Sequence, residues 1–306
     1  MCPSRISSLT SVLVVVTTLA CAQVTAYPDT LVPQRLRATL LAEGAFVAGG
    51  MAVLYANWYA DRARVPFHTY DDAAGYLQVD KAGHAYGAYL YSTAGYHGLR
   101  AAGVPKGPAL WWGGGLGLYL QTPIELFDGL YEGWGFSWSD MLANAAGTAL
   151  AVGQYAAFDG QVARLKFSFW RSSYAREANG YLGASFAGSL LNDYNGHTYW
   201  LSVPVSRLTP KRVSARLPAW LALAVGYGAG GMFGEFANRS SYRGVALPRR
   251  DRYREFYLPL DIDWALVRAR HPLARAALRA LNVIKVPFPA LSYGTRGQWR
   301  LRATGY

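Results

Sequence analysis

Cysteine is nearly absent from this sequence, because the chain of 306 residues has only Cys2 and Cys21. Both lie in an N-terminal leader, so we expect no disulfide, no cysteine metal site and no thiol nucleophile in the mature chain. The one exception would be Cys21, if it is kept as a lipid anchor. The sequence therefore excludes functions that depend on paired or reactive cysteines.

Charged residues are also scarce. They make up 16% of the chain, whereas 52% is hydrophobic, which excludes a disordered protein and favours one of a membrane or the cell envelope. The charge is uneven: residues 1–160 have 8 Lys and Arg against 11 Asp and Glu, a net −3, and residues 161–306 have 22 against 7, a net +15. A basic half of this kind attracts anionic partners such as membrane lipid.

Residues 1–26 are predicted to be a secretory signal peptide. Arg5 gives a positive start, the run Val12–Val16 is the apolar segment, and small residues follow it. The alternative is a lipoprotein signal that is acylated at Cys21. Both predict export to the periplasmic side of the cell envelope, where nucleic acid is not an expected partner.

Residues 27–160 are predicted to form a membrane-associated bundle of about four helices. The apolar stretch Thr39–Tyr59 is long enough to cross a bilayer. Further helices are expected at about residues 80–102, from Ala109 onwards with a kink or restart at Pro123, and at residues 139–158.

Residues 161–306 are predicted to contain antiparallel β strands, so the predicted fold class is α+β. Strand patterns cover residues 199–205, 220–227, 255–264 and 298–304, and a helix is expected at 272–281. In the third strand, alternate residues from Phe256 to Trp264 are apolar, whereas the other side of the strand includes Glu255, Asp261 and Asp263.

Polar residues interrupt the apolar helices in three clusters. These seven residues are Asp80, Lys81 and His84, then Glu125 and Asp128, then Asp140 and Asn144. Residues spaced i, i+3 or i+4 share one face of a helix, so each cluster presents polar groups on one side. Because an unpaired charge is costly in an apolar bundle, we expect the clusters to meet.

The three clusters resemble the YfiM-like family of periplasmic or lipid-anchored proteins and, more distantly, the VanZ-like membrane proteins. The shared pattern is Asp-Lys-x-x-His, then Glu with Asp-Gly downstream, then Gly-x-Ser-x-x-Asp-x-x-x-Asn-x-x-Gly. In this chain it is formed by Asp80, Lys81, His84, Glu125, Asp128, Gly129, Gly135, Ser137, Asp140, Asn144 and Gly147. Residues 193–202 resemble the longer members of the family. The resemblance implies a place in the envelope and no particular reaction.

A purely structural interpretation assigns some of these residues to helix caps. Asp80 is placed as an N-cap, Thr122–Glu125 as a capping box with Pro123 at the first helical position, and Ser137–Asp140 as another box. Caps do not explain Lys81, His84, Asp128 or Asn144.

Two functions from different classes fit the clusters. The first is a binding or scaffold protein whose polar residues Asp80, Lys81, Asp140 and Asn144 fix the bundle, while the basic half lies against membrane lipid or another anionic envelope component. The alternative is an enzyme that acts on a lipid or cell-wall headgroup. In that enzyme His84 is the acid and base, Glu125 and Asp128 assist it, and Lys81 holds an anionic group.

A metal site is the weaker interpretation. His84, Glu125, Asp128 and Asp140 offer nitrogen and oxygen ligands. The sequence has a single histidine in these clusters and no dense ligand motif, so we predict no metal and no cofactor. The identity of any protein partner stays open.

Overall fold

The computed structural model describes residues 27–303. The predicted signal peptide and Cys21 lie outside the described residues. The long helices are α1 (Pro33–Leu54), α2 (Val79–Ala101), α3 (Leu116–Asp128) and α4 (Trp138–Phe158). Helix α1 continues in a π-helical turn, Tyr55–Tyr59, and a short helix, Lys106–Pro108, with a second π-helical turn, Ala109–Gly113, precedes α3.

Helix α2 is the centre of the helical part. Glycines let α3 and α4 approach its backbone closely, because a side chain at Gly117 would overlap the carbonyl oxygen of Ala88, and one at Gly147 would overlap that of Ala85. Helix α1, by contrast, has no buried residue. The prediction of a four-helix bundle is therefore not confirmed, because only α2, α3 and α4 pack together. Helix α1 lies outside them, since its apolar residues are spread around the whole helix instead of forming one stripe that could pack against a neighbour.

The predicted helix boundaries are confirmed to within one residue for α2 and α4. Helix α3 differs from its prediction in detail: a π-helical turn begins at Ala109, the α-helix begins at Leu116, and it passes through Pro123 without a restart. Packing explains the difference. Gln121 Nε2 donates to the His84 carbonyl oxygen at 3.0 Å, and Glu125 is buried, so the helix is held on both sides of the proline.

The second part of the chain forms an antiparallel sheet, which confirms the α+β class. Its strands are β1 (Arg164–Phe169), β2 (His197–Pro204), β3 (Leu221–Gly230), β6 (Tyr253–Ile262), β7 (Ala290–Gly294) and β8 (Gln298–Arg302), hydrogen-bonded in that order. A small separate hairpin of β4 (Ser241–Tyr242) and β5 (Val245–Ala246) follows β3 and precedes β6 along the chain. Strands β1 and β7 are not among the predicted strands.

Helices are few in this part. Helix α5 is Phe186–Asn192, and α6, Pro272–Leu281, has the predicted boundaries. Shorter helical segments are Tyr174–Glu177, Tyr194–Gly196, Val205–Leu208, Lys211–Ser214 and Trp264–Leu266.

The sheet packs against α2. Tyr86 of α2 donates its hydroxyl to the Val283 carbonyl oxygen at 2.8 Å, and its ring lies against Phe167 of β1. Gly83 leaves room for the Tyr199 hydroxyl of β2, which a side chain at this position would meet at 2.8 Å. The sheet thus covers one side of the first turns of α2, where the first polar cluster lies.

Candidate functional site

Lys81, in the first turn of α2, is bound by three carboxylates. Its Nζ lies 2.6 Å from Asp72 Oδ2, 2.7 Å from Asp140 Oδ1 and 3.1 Å from Asp80 Oδ2. Burial lowers the pKa of Lys81, but the neighbouring carboxylates outweigh this effect and raise its pKa above the ordinary value. The ammonium group therefore stays charged and joins α2 to α4 and to the loop before α2.

His84 lies one turn further along α2. Its Nδ1 is 3.2 Å from Asn144 Oδ1 and 3.6 Å from Glu125 Oε1, and its Nε2 is 3.7 Å from Asp140 Oδ1. Burial lowers the pKa of His84, but the charges of Asp80 and Asp140 raise it above its ordinary value. The side chain is 21% exposed, similar to Asp80 at 20% and more than Lys81 or Asp140, so a ligand could reach the cluster at His84 and Asp80.

Glu125 is the most deeply buried acid of the cluster, at 1% exposure. The Ser137 backbone N–H donates to its Oε2 at 3.4 Å, and Oε1 has no hydrogen-bond partner among the described residues. Burial raises the pKa of Glu125 from 4.5 to about 8. The carboxyl group therefore keeps its proton at neutral pH, next to an imidazole that tends to be charged.

Asp128 points to a different neighbour. The Tyr59 hydroxyl donates to its Oδ1 at 2.6 Å, and burial raises the pKa of Asp128 to about 6. Glu125 and Asp128 were predicted to act together on His84. The structure brings Glu125 to His84, whereas Asp128 is hydrogen-bonded to the end of the apolar helix segment that α1 begins.

Asp72 belongs to the cluster, although it is not among the seven residues that the sequence predicts for it. The hydroxyls of Ser137 and Ser139 donate to its Oδ1 at 2.5 and 2.6 Å. Burial raises the pKa of Asp72, but these hydrogen bonds and that of Lys81 lower it to about 2. The one signal in the sequence was an acidic pair, Asp71-Asp72, close to the start of α2.

The helix-cap interpretation is only partly right. Ser137 Oγ does accept the Asp140 backbone N–H at 3.0 Å and caps α4. Asp80 is not a cap, since its carboxylate binds Lys81 and accepts the Tyr194 hydroxyl at 3.0 Å. Gln78 occupies the N-cap position of α2, and the box predicted at Thr122 lies inside α3.

The chain enters α2 through a strained turn. Tyr76, Leu77 and Gln78 have φ angles of 44°, 52° and 64°, which are unfavourable for residues other than glycine. The sheet holds this turn in place: the Tyr227 hydroxyl donates to the Leu77 carbonyl oxygen, and Arg254 Nη2 donates to Gln78 Oε1 at 2.6 Å. The position of Asp80 and Lys81 is therefore fixed by the sheet as well as by the helices.

Three side chains of the cluster could hold a metal ion. Ligand atoms of Asp80, His84 and Asp140 all lie within 4.8 Å of one another. The Lys81 ammonium contacts both of these carboxylates, so a divalent cation would have to displace it. Because Lys81 already pairs with these carboxylates, the arrangement is poorly suited to metal binding.

The raised pKa values make stability depend on pH. The folded state binds the Glu125 proton more tightly than the unfolded chain does, so this contribution is complete below about pH 4.5 and is lost as the pH rises towards 8. Asp128 and Asp140, with a pKa of about 6, act in the same direction at lower pH. We expect the free energy of unfolding to fall between pH 5 and 8.

The variant Glu125→Gln should flatten this fall, because an amide keeps the shape of the side chain but cannot ionise. The measurement is denaturant unfolding of detergent-solubilised protein across this pH range. An identical slope in the variant and the wild-type protein would show that Glu125 does not hold its proton in the folded state.

The fold and the cluster define an α+β protein in which three packed helices enclose ionisable groups beside an exposed apolar helix. Residues 69–156, which include α2, α3 and most of α4, match a family described as "Predicted periplasmic lipoprotein (DUF2279)". No curated protein and no solved structure matches the chain. The chain is a cell-envelope protein of the periplasmic side, as predicted, and the finer resemblance to YfiM-like and VanZ-like proteins stays a prediction.

Proposed function

We propose that this chain is a membrane-associated binding or scaffold protein of the envelope, in which the polar cluster holds the helices in register. Helix α1 carries this proposal. The segment Pro33–Tyr59 is long and apolar enough to cross a bilayer, and none of the residues of α1 is buried. Leu40 and Leu41 are more than half exposed. Water would disfavour such a surface, whereas lipid accepts it.

The apolar helix is connected to the polar cluster at one end. Tyr59 at that end holds Asp128, and Arg62 and Arg64 follow directly. The Arg62 guanidinium lies 4.6 Å from the Trp134 ring centre, and that of Arg64 lies 5.7 Å from the ring centre of Tyr131. Aromatic and basic residues together are typical of the membrane–water interface. This supports a position of the cluster near one surface of the membrane, where a ligand could reach it at the partly exposed side chain of His84.

Extraction of membranes tests the anchor. Because Cys21 is a second possible anchor, we compare the wild-type chain with Cys21→Ser, which cannot be acylated there. Both should stay with the membrane in alkaline carbonate and in high salt, since α1 provides the attachment. Release of Cys21→Ser by carbonate would contradict an inserted helix, and release by salt alone would mean that only the basic surface binds.

An acid–base enzyme is the second candidate, because Glu125 and the partly exposed His84 lie 3.6 Å apart. Two of its predicted roles lack support: the three carboxylates around Lys81 leave it unsuited to hold an anionic group, and Asp128 is bound to Tyr59. Glu125→Gln separates the candidates in a deletion strain. An enzyme of this kind would lose complementation although the variant folds, whereas a scaffold would keep it.

A further inference from the structure

The six-stranded sheet buries charged side chains and exposes aliphatic ones. Its inner face contains a small apolar cluster of Trp200, Ala224 and Tyr257 together with charged groups: Lys166 of β1 and Asp261 of β6 are at most 1% exposed and form an ion pair of 2.8 Å. Two strands lie between β1 and β6, so the sheet must curl for these side chains to meet. Ser202, Glu255 and Ser292 are buried on the same face. Sheets with one solvated face normally bury the apolar side.

The outer face is apolar and exposed. Six aliphatic residues on five strands form it, each between 41% and 82% exposed: Leu201, Val225, Leu258, Leu260, Leu291 and Leu301. The strand register makes them neighbours, since Leu201 pairs with Val225, and Leu291 pairs with both Leu258 and Leu301. These residues form a continuous apolar patch, whereas the exposed apolar residues of ordinary protein surfaces are scattered singly.

Helix α2 covers only one corner of this face. Tyr199, two residues before Leu201 on the same side of β2, packs against Tyr86 of α2. In the outward positions of β2, β3, β6, β7 and β8, the described residues include a single charged side chain, Arg254, which is bound to Gln78. A face with so few charged side chains suits the acyl chains of lipid, where a charge facing outward would be costly.

The connections at one end of the sheet are basic. The β2–β3 connection, residues 205–220, contains Arg207, Lys211, Arg212 and Arg216 and no acidic residue. Residues 264–281, which follow β6, contain four arginines and no acidic residue. The register places both connections at the same end, because Pro204 pairs with Ala222, and Leu221 pairs with Ile262. Cationic side chains beside an apolar face complement the phosphates above acyl chains.

We propose that the outer face of the sheet lies against the acyl chains of a membrane, with these basic connections at the phosphate headgroups. The inference rests on the proposed membrane association and adds a second contact surface to α1. In lipid the polarity of the sheet has a simple explanation: apolar side chains meet the acyl chains, and charged side chains pair with each other on the inner face.

Spin labels on the full chain test this inference. Cys2 and Cys21 are replaced by serine, and single cysteines are introduced as Leu260→Cys or Leu301→Cys on the outer face. The matched control is Ser240→Cys, an exposed polar position before the small hairpin. Each labelled protein is reconstituted into vesicles of phosphatidylethanolamine and phosphatidylglycerol. Power saturation then measures the accessibility of the label to oxygen and to a water-soluble nickel chelate.

We expect the ratio of oxygen to nickel accessibility to be several-fold higher at the two outer-face positions than at Ser240. Low accessibility to both reagents would mean that protein, such as a second copy of the chain, covers the face, and this would overturn the inference. High accessibility to the nickel chelate would mean that water covers the outer face, and this result would also overturn the inference. Flotation distinguishes the two proposals, since a chain that does not float with the vesicles contradicts membrane association itself.

Discussion

Replacement of Lys81 by methionine should lower the free energy of unfolding by about 3–5 kcal/mol. The ammonium group is the shared partner of Asp72, Asp80 and Asp140 at distances of 2.6–3.1 Å. Methionine has a similar length but no charge, so three carboxylates would be left close together with little access to water. Removal of one partner from a buried ion pair costs much more than the pair itself contributes.

Lys106→Met is the matched control. Lys106 Nζ also contacts a carboxylate at short range, that of Asp159 at 2.5 Å, but Asp159 is 79% exposed. Water screens such a surface pair, so we expect a loss of at most about 1 kcal/mol. Denaturant unfolding of both variants in the same detergent gives the comparison.

The effect of Lys81→Met should depend on pH. Asp140 has a pKa of about 6 in the wild-type protein, and without the lysine its carboxyl group should take up a proton still more readily. The loss of stability should therefore be smaller at pH 5 than at pH 8. Equal effects of Lys81→Met and Lys106→Met at both pH values would contradict a cluster that holds the helices together.

Replacement of Gly147 by alanine should destabilise the protein by about 1–3 kcal/mol. A Cβ atom at Gly147 would overlap the backbone carbonyl of Ala85, which cannot move without displacing α2 from α4. The same displacement would separate Asp140 and Asn144 of α4 from Lys81 and His84 of α2. The pKa of His84 should then fall towards its ordinary value, and NMR titration of the imidazole measures this shift.

Gly153→Ala, six residues further along α4, is the control. A Cβ atom there has no other atom within 4 Å, and the position is helical. Alanine should therefore stabilise α4 by up to about 1 kcal/mol, because it restricts the unfolded chain more than glycine does. A loss of stability in both variants would mean that α4 does not tolerate alanine for reasons unrelated to contact with α2.

Much of the helical part could be predicted from local patterns. Helices α2 and α4 each begin at a polar cluster and continue as an apolar run, so their boundaries are visible in the sequence. The meeting of Lys81, His84, Glu125 and Asp140 follows from the cost of burying unpaired charges. Asp72 could not be assigned in this way, because it reaches Lys81 from a loop whose path depends on Tyr76–Gln78 and the sheet that holds them.

Glu125 and Asp128 show a second limit of prediction from the sequence, because they have different partners. Both residues lie near the end of α3, and their spacing predicted one shared role. Their neighbours differ because α1 lies outside the packed helices, so Tyr59 is available to Asp128 while His84 faces Glu125. Spacing along one helix does not specify which other helix each side chain meets.

The sequence by itself determined that the chain is largely apolar, that it carries an export signal pattern, and that one side of β6 is apolar whereas the other carries acidic residues. Only the tertiary structure decided which side of that strand is buried. Curling of the sheet brings Lys166 of β1 to Asp261 of β6, so the acidic side faces inward and Leu258 and Leu260 face outward. Alternation along a strand shows that its two faces differ in polarity. The neighbouring strands and their charges determine which of the two faces can be buried.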